Sequence, residues 1–174
     1  MSKNDPIQVL IREHDIISAA EKVIQSLQNT WETNADEYAE KLRRLIVFFR
    51  EYSDRFHHYK EEEVLFKKLR ENPDFLLKDI ISELEGHHEM FRETVAEIEE
   101  AAQDKDWPKT HKLLKGYIND LLDHIAVEND ELFNMAEAVF SDDELERMYF
   151  LFEDIDRDLG LERKQELAAM METL

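Results

Sequence analysis

The stretch RFHHYKEEEVLF, residues Arg55–Phe66, places two adjacent histidines one helical turn ahead of three glutamates and then runs into Val-Leu-Phe. Surface helices carry glutamates freely, but they seldom lead a charge run straight into an apolar cluster. The spacing decides the matter. On a helical wheel of about 100° per residue, Leu42, Ile46, Phe49, Phe56 and Val64 form one stripe, with His57 roughly 55° and Glu61 roughly 95° from its mean. His58 and Glu62 fall roughly 155–165° away on the same wheel. The stretch is therefore expected to be both buried and solvated: His57 and Glu61 reach inward, while His58, Glu62 and Glu63 belong to the outer face.

The same block returns later in the chain. Aligned from His57 and His124, HHYKEEEVLF and HIAVENDELF both read H-x-x-x-E-x-x-x-L-F, which pairs Glu61 with Glu128, Leu65 with Leu132 and Phe66 with Phe133. Glu128 sits near the centre of its own stripe (Leu114, Ile118, Leu121, Ile125, Leu132, Met135). A carboxylate there needs a partner, because burying it alone costs several kcal/mol. The preceding helices repeat as well. Setting His14 on His88 matches Ile7 with Ile81, Leu10 with Leu84, Ile17 with Phe91 and Ile24 with Ile98. Setting His14 on His87 instead pairs Leu10 with Glu83. The chain thus reads as two similar helical hairpins, each offering one histidine and then one His-x-x-x-Glu.

Composition agrees. Three Gly and three Pro in 174 residues are too few for a many-turned β protein, and the abundance of Glu, Leu, Ala, Lys and Arg suits long helices. The fold class is all-α. Asp5 and Pro6 open a first helix running to about Gln28, and a second covers roughly Asp36 to Arg70. A third runs from about Asp74 to Ala102, and a fourth, capped by Asp106, to about Phe140. A capping box at Ser141 and Glu144 opens a fifth helix that stops at Gly160, and a sixth segment follows. Short connections imply an antiparallel up-down four-helix bundle over residues 1–140, with residues 141–174 packed on it as a helical extension.

The formal net charge of −20 excludes nucleic acid and anionic membranes as partners, since both are recognised by Lys and Arg. The absence of cysteine removes disulfides, thiolate metal sites and cysteine nucleophiles. No apolar run approaches about 18 residues, and MSKNDPIQVLIREHD has no signal-peptide core, so a cytoplasmic location is expected. There is no G-x-x-x-x-G-K-[ST] and no H-E-x-x-H.

His14, His57, Glu61, His88, His124 and Glu128 converging in a helical interior describe a site for divalent first-row metals. Imidazole with carboxylate suits iron, and also manganese or zinc. Each glutamate is placed to bridge a pair of metals, and two divalent ions are tolerable if a hydroxide or oxide also bridges. The bland alternative is a metal-free bundle with hydrogen-bonded core histidines. His58 and His87 read first as surface or supporting residues and second as a fifth nitrogen ligand. Tyr117, two turns before His124, reads as a core tyrosine or as a hydrogen-bond donor near the metals, and His111 as structural or exposed.

These motifs resemble the hemerythrin-like, or HHE cation-binding, family. EHDII around His14, HHYKEEEVLF, HHEMFR around His88 and HIAVENDELFNMAE are similar to its four helix motifs, over about residues 7 to 140. The resemblance implies a non-haem di-iron centre held by His14, His57, Glu61, His88, His124 and Glu128. Oxygen-carrying members use H-x-x-x-H on the third helix, where His88 is here followed by Arg92. They use H-x-x-x-x-D on the fourth, where this chain has His124 and Glu128. One histidine is thus missing unless His58 or His87 supplies it, and both irons would stand open. The resemblance therefore points to binding of O2, NO or peroxide for sensing, iron handling or stress repair rather than to bulk oxygen transport. An enzyme reducing the same molecules and a helical interaction module with a structural metal are the alternatives. Oligomeric state and protein partner are not set by the sequence.

Overall fold

The computed structural model describes residues 4–174, and among them there are helices and turns but no strand. Helix α1 (Pro6–Ser18, continued by Ala20–Ser26) starts where the Asp5 side chain accepts the Ile7 N–H at 2.9 Å. Helix α2 spans residues 35–71 without a break and is capped by Asn34. Helix α3 is Lys78–Gln103, and α4 covers residues 107–139 behind an Asp106 cap with Pro108 in its first turn. Helix α5 (Asp142–Leu159) opens on the expected capping box, and α6 is Leu161–Thr173. Gly160, at φ 108°, makes the corner between them in a conformation that side chains resist.

One boundary moves. Helix α3 begins at Lys78 and not near Asp74, because Asn72 precedes Pro73 and is held extended (φ −74°, ψ 122°). The Asn72 side chain accepts the Asp74 N–H at 2.8 Å, so Asp74 belongs to a turn. Phe75, buried, anchors that turn in the core.

The core has two parts with a polar layer between them. The first holds Ile17, Ala20 and Val23 of α1, Phe49, Tyr52 and Phe56 of α2, Phe91 and Val95 of α3, and Leu121 and Ile125 of α4. The second holds Ile7 and Leu10 of α1, Val64 and Phe66 of α2, Ile81 and Leu84 of α3, and Leu132 and Phe133 of α4. Helices α1 and α3 pass from the second part to the first, while α2 and α4 pass in the opposite order. Helices α5 and α6 contribute too: Met148 and Phe152 to the second part, Leu167 and Met171 to the first. Each Leu or Phe so buried contributes roughly 1.5–3 kcal/mol, which offsets the polar groups held between. Among the described residues no helix is long and apolar enough to cross a membrane.

Candidate metal centre

The polar layer is where the two hairpins meet. His14, His57, Glu61, His88, His124 and Glu128 are all buried within it, and so is His58, at 2% exposure. His58 is the correction. The 100° wheel sends it to the solvated face, but residues 49–58 and 61–66 of α2 are π-helical, as are residues 128–132 of α4. A π-turn closes its hydrogen bond one residue further on, as the Tyr59 N–H does to the Asp54 carbonyl, so each residue turns the chain less than in an α-helix. The wheel therefore over-rotates from Phe49 onward, and His58 comes round to the inside beside His57. Glu62 is half-buried, and Glu63 lies outside as expected.

The donors fall into two groups that share Glu61. His58, His88 and His124 form one with it; His14, His57 and Glu128 form the other. Within each group, one donor atom per residue lies within 4.8 Å of the others. The carboxylates lie between the groups. Glu61 turns Oε1 to His57 Nε2 (3.3 Å) and Oε2 to His88 Nε2 (3.5 Å). Glu128 turns Oε2 to His14 Nε2 (3.2 Å) and Oε1 to His124 Nε2 (3.2 Å). The Nε2 atoms of His14 and His57 and all four oxygens of Glu61 and Glu128 are buried with no hydrogen-bond partner among the described residues. Orphaned polar atoms of this kind are costly, and a cation at their focus would satisfy them. The residue set fits a divalent metal.

Behind every ring stands a second group. Nδ1 faces Asn129 Oδ1 in His14 (2.8 Å), Glu13 Oε2 in His57 (2.9 Å), Asp54 Oδ1 in His58 (3.4 Å) and Glu62 Oε1 in His88 (2.8 Å). His124 Nδ1 lies 3.3 Å from Nδ1 of His87. A carboxylate only accepts, so His57, His58 and His88 carry their proton on Nδ1 and leave Nε2 bare. That is the arrangement by which outer partners orient metal-binding imidazoles. His87 thus supports His124 and lies outside both groups. Arg92 joins two of these partners: its Nη2 lies 2.8 Å from Asp54 and 2.7 Å from Glu62.

Burial pushes the His88 ring down to about 3, and burial with the neighbouring His88 ring lowers His58 as well, so both are neutral. Burial and the facing Glu128 raise Glu61. Burial works against the Glu128 carboxylate too, but His124 and His14 outweigh it and hold Glu128 below the ordinary range.

The chain belongs to the hemerythrin HHE cation-binding family. The family's pattern matches residues 5–136, which carry all the donors described. No curated protein and no solved structure gives a match. In this HHE chain Tyr117 is a core residue packed against Phe49 and Phe91. It lines, with His58, Asp54, Arg92 and Val95, a cavity of about 70 Å³ on the outer side of the centre. His111 is buried far from the site, with Nε2 3.1 Å from Gln28 Oε1.

Apart from His87, sequence reading did not single out these outer partners, and a signal exists for Lys60, which stands behind one of them with Nζ 2.7 Å from Glu13 Oε1. Lys60 sits midway between Phe56 and Val64 at four-residue spacing, on the core stripe itself, and is fully buried.

Proposed function

We propose that this chain carries a non-haem di-metal centre, with two iron ions as its resident metals, that binds O2, NO or peroxide in sensing, iron handling or stress repair. The observation behind the reading is the placement of Glu61 and Glu128, each turning one oxygen to each group of histidines. His58, His88 and His124 would hold one ion, His14 and His57 the other, and both carboxylates would bridge. All seven donors are nitrogen or oxygen, which suits iron and admits manganese or zinc. When bound, two irons supply redox-active, open positions for a small ligand.

The three-against-two division of rings would leave an ion on the His14–His57 side with fewer protein donors, so that side would be the one with room for a small ligand. The residues keep that chemistry dry and fixed: the two apolar clusters exclude water above and below, and the outer carboxylates Glu13, Asp54 and Glu62 hold the protons of His57, His58 and His88 on Nδ1. His58 supplies the histidine that the third helix lacks, so the donor count no longer separates this centre from the oxygen carriers. What still separates it is Arg92, which stands on the third helix where those proteins place a ligand, and Glu128, which stands on the fourth in place of their aspartate. The alternating order in which α1 to α4 cross the two clusters supports an antiparallel up-down bundle over residues 1–140, with 141–174 as an extension packed on it.

Elemental analysis tests the reading on protein expressed in iron-supplemented medium and purified without chelators or a His-tag. About two irons per chain are expected, as in other di-metal carboxylate bundles, with an absorption spectrum that changes reversibly on adding azide or NO. No iron bound, even after anaerobic addition of Fe(II), overturns it.

A further inference from the structure

The polar layer extends beyond the family-matched residues. Glu13, adjacent to His14 in sequence, turns Oε2 to His57 Nδ1 and gives Oε1 to two ammonium groups, Lys60 Nζ at 2.7 Å and Lys164 Nζ at 2.5 Å. Asp156 closes the circuit, with Oδ1 2.5 Å from Lys60 Nζ and Oδ2 2.5 Å from Lys164 Nζ. Two cations and two anions thus form a neutral ring, in which Lys60 is fully buried and Glu13 and Asp156 nearly so. Asp156 lies on α5 and Lys164 on α6, outside the matched residues 5–136.

Anchoring alone does not account for this ring. Buried ion pairs hold elements together no better than apolar residues of similar volume, and α5 and α6 already bury Met148, Phe152, Leu167 and Met171. A second tie, Arg163 to Glu51 at 2.7 and 2.9 Å, docks α6 on α2 at the surface. What the ring adds is direction. With Oε1 of Glu13 taken by two ammonium groups, Oε2 is left to the His57 imidazole, and the circuit's neutrality keeps net charge away from that ring.

We propose that Asp156 and Lys164 are positioning residues of the metal centre: through Lys60 and Glu13 they fix the His57 ring with Nε2 turned to Glu61, so that the C-terminal helix pair completes the two-histidine side. This rests on the metal-centre reading above. The test uses full-length protein and Co(II) as the probe, comparing wild type with the charge-neutral double variant Asp156→Asn/Lys164→Met. Loss of an outer partner weakens a metal site by about 10- to 100-fold. One of the two Co(II) equivalents is therefore expected to weaken by that factor while the other is unchanged. In the metal-free variant, imidazole nitrogen NMR is expected to show His57 divided between its two tautomers. Lys164→Arg should restore both readouts. Glu51→Gln, which cuts only the surface tie, should lower the melting temperature and leave both readouts alone. If the double variant does not fold, Asp156→Asn alone carries the same comparison. Two Co(II) equivalents held as tightly as in wild type, with His57 in a single tautomer, overturn the proposal and leave the ring as an anchor. If wild type takes up no Co(II), the metal reading fails, while the tautomer comparison still decides whether the ring positions His57.

Discussion

The two flanks of the centre solve one problem in different ways. On the His58–His88 flank, Arg92 bridges Asp54 and Glu62, and each of these carboxylates holds one ring. Arg92 and Asp54 are 32% exposed and Glu62 24%, so water shares the load, and the trio carries a net negative charge without penalty. On the His57 flank one carboxylate holds one ring, yet two lysines and a second acid stand behind it, closed off and neutral. The difference follows from exposure. A charge that water can reach needs only a partial partner, whereas a buried one needs complete neutralisation and geometry that occupies every oxygen. That is why the buried flank recruits two further helices and the exposed flank draws only on α2 and α3.

The strongest break in this comparison is Lys60→Met. It removes the fully buried cation of the ring, leaving Lys164 alone between Glu13 and Asp156. Stranding buried charge in this way costs about 3–5 kcal/mol. Urea unfolding of the metal-free protein measures it; a loss below about 1 kcal/mol would show that Lys60 is not neutralising the pair. Burial of Glu13 is opposed by the His57 hydrogen bond and both lysines, which together hold it well below the ordinary carboxylate range. Its stabilisation is thus present above the unfolded value near 4.3 and is lost as pH falls toward the lower folded value, so the Lys60→Met deficit should shrink on acidification.

Next in size is His58→Leu, which bears on how much of the site could be read in advance. The internal repeat chose His88 over His87, and His88 is the one that lies buried in the layer; a register error of one residue would put Glu83 and Glu97 where the structure buries Leu84 and Ile98. It also placed Glu128 inside, where it is fully buried. The wheel failed at His58 for a physical reason. Periodicity arguments assume one hydrogen-bond pattern, and α2 leaves that pattern at Phe49, so the error accumulates by the time the chain reaches the site. Nor does Glu13 announce itself, since its role depends on α5 and α6 folding back across α1 and α2. In His58→Leu the three-histidine group loses a donor, and one metal equivalent should weaken by at least about 100-fold while the other persists, as loss of a donor exceeds loss of an outer partner. Metal-free stability should hold or rise, because an apolar side chain replaces a buried polar ring. Unchanged binding of both equivalents would return His58 to the supporting role suggested by the wheel.

The smallest effect is expected from Arg92→Gln, and its smallness sharpens the contrast. Arg92 reaches both carboxylates of its flank, so contact geometry alone would rank it beside Lys60. Exposure ranks it lower. With Arg92 and Asp54 32% exposed and Glu62 24%, the guanidinium is replaced in part by water and salt, and exposed pairs contribute about 0.2–1 kcal/mol. Glutamine also keeps an amide able to donate to Asp54 or Glu62, so neither ring loses its acceptor. The expected outcome is a stability change within about 1 kcal/mol and metal affinity reduced by less than about 10-fold. The difference from wild type should narrow as salt is raised, because screening acts on exposed charges and spares buried ones. Measured beside Lys60→Met over the same salt series, the two variants separate the flanks: one deficit should fade with ionic strength and the other should persist. A large, salt-insensitive loss in Arg92→Gln would mean that the outer flank is as closed to water as the inner one.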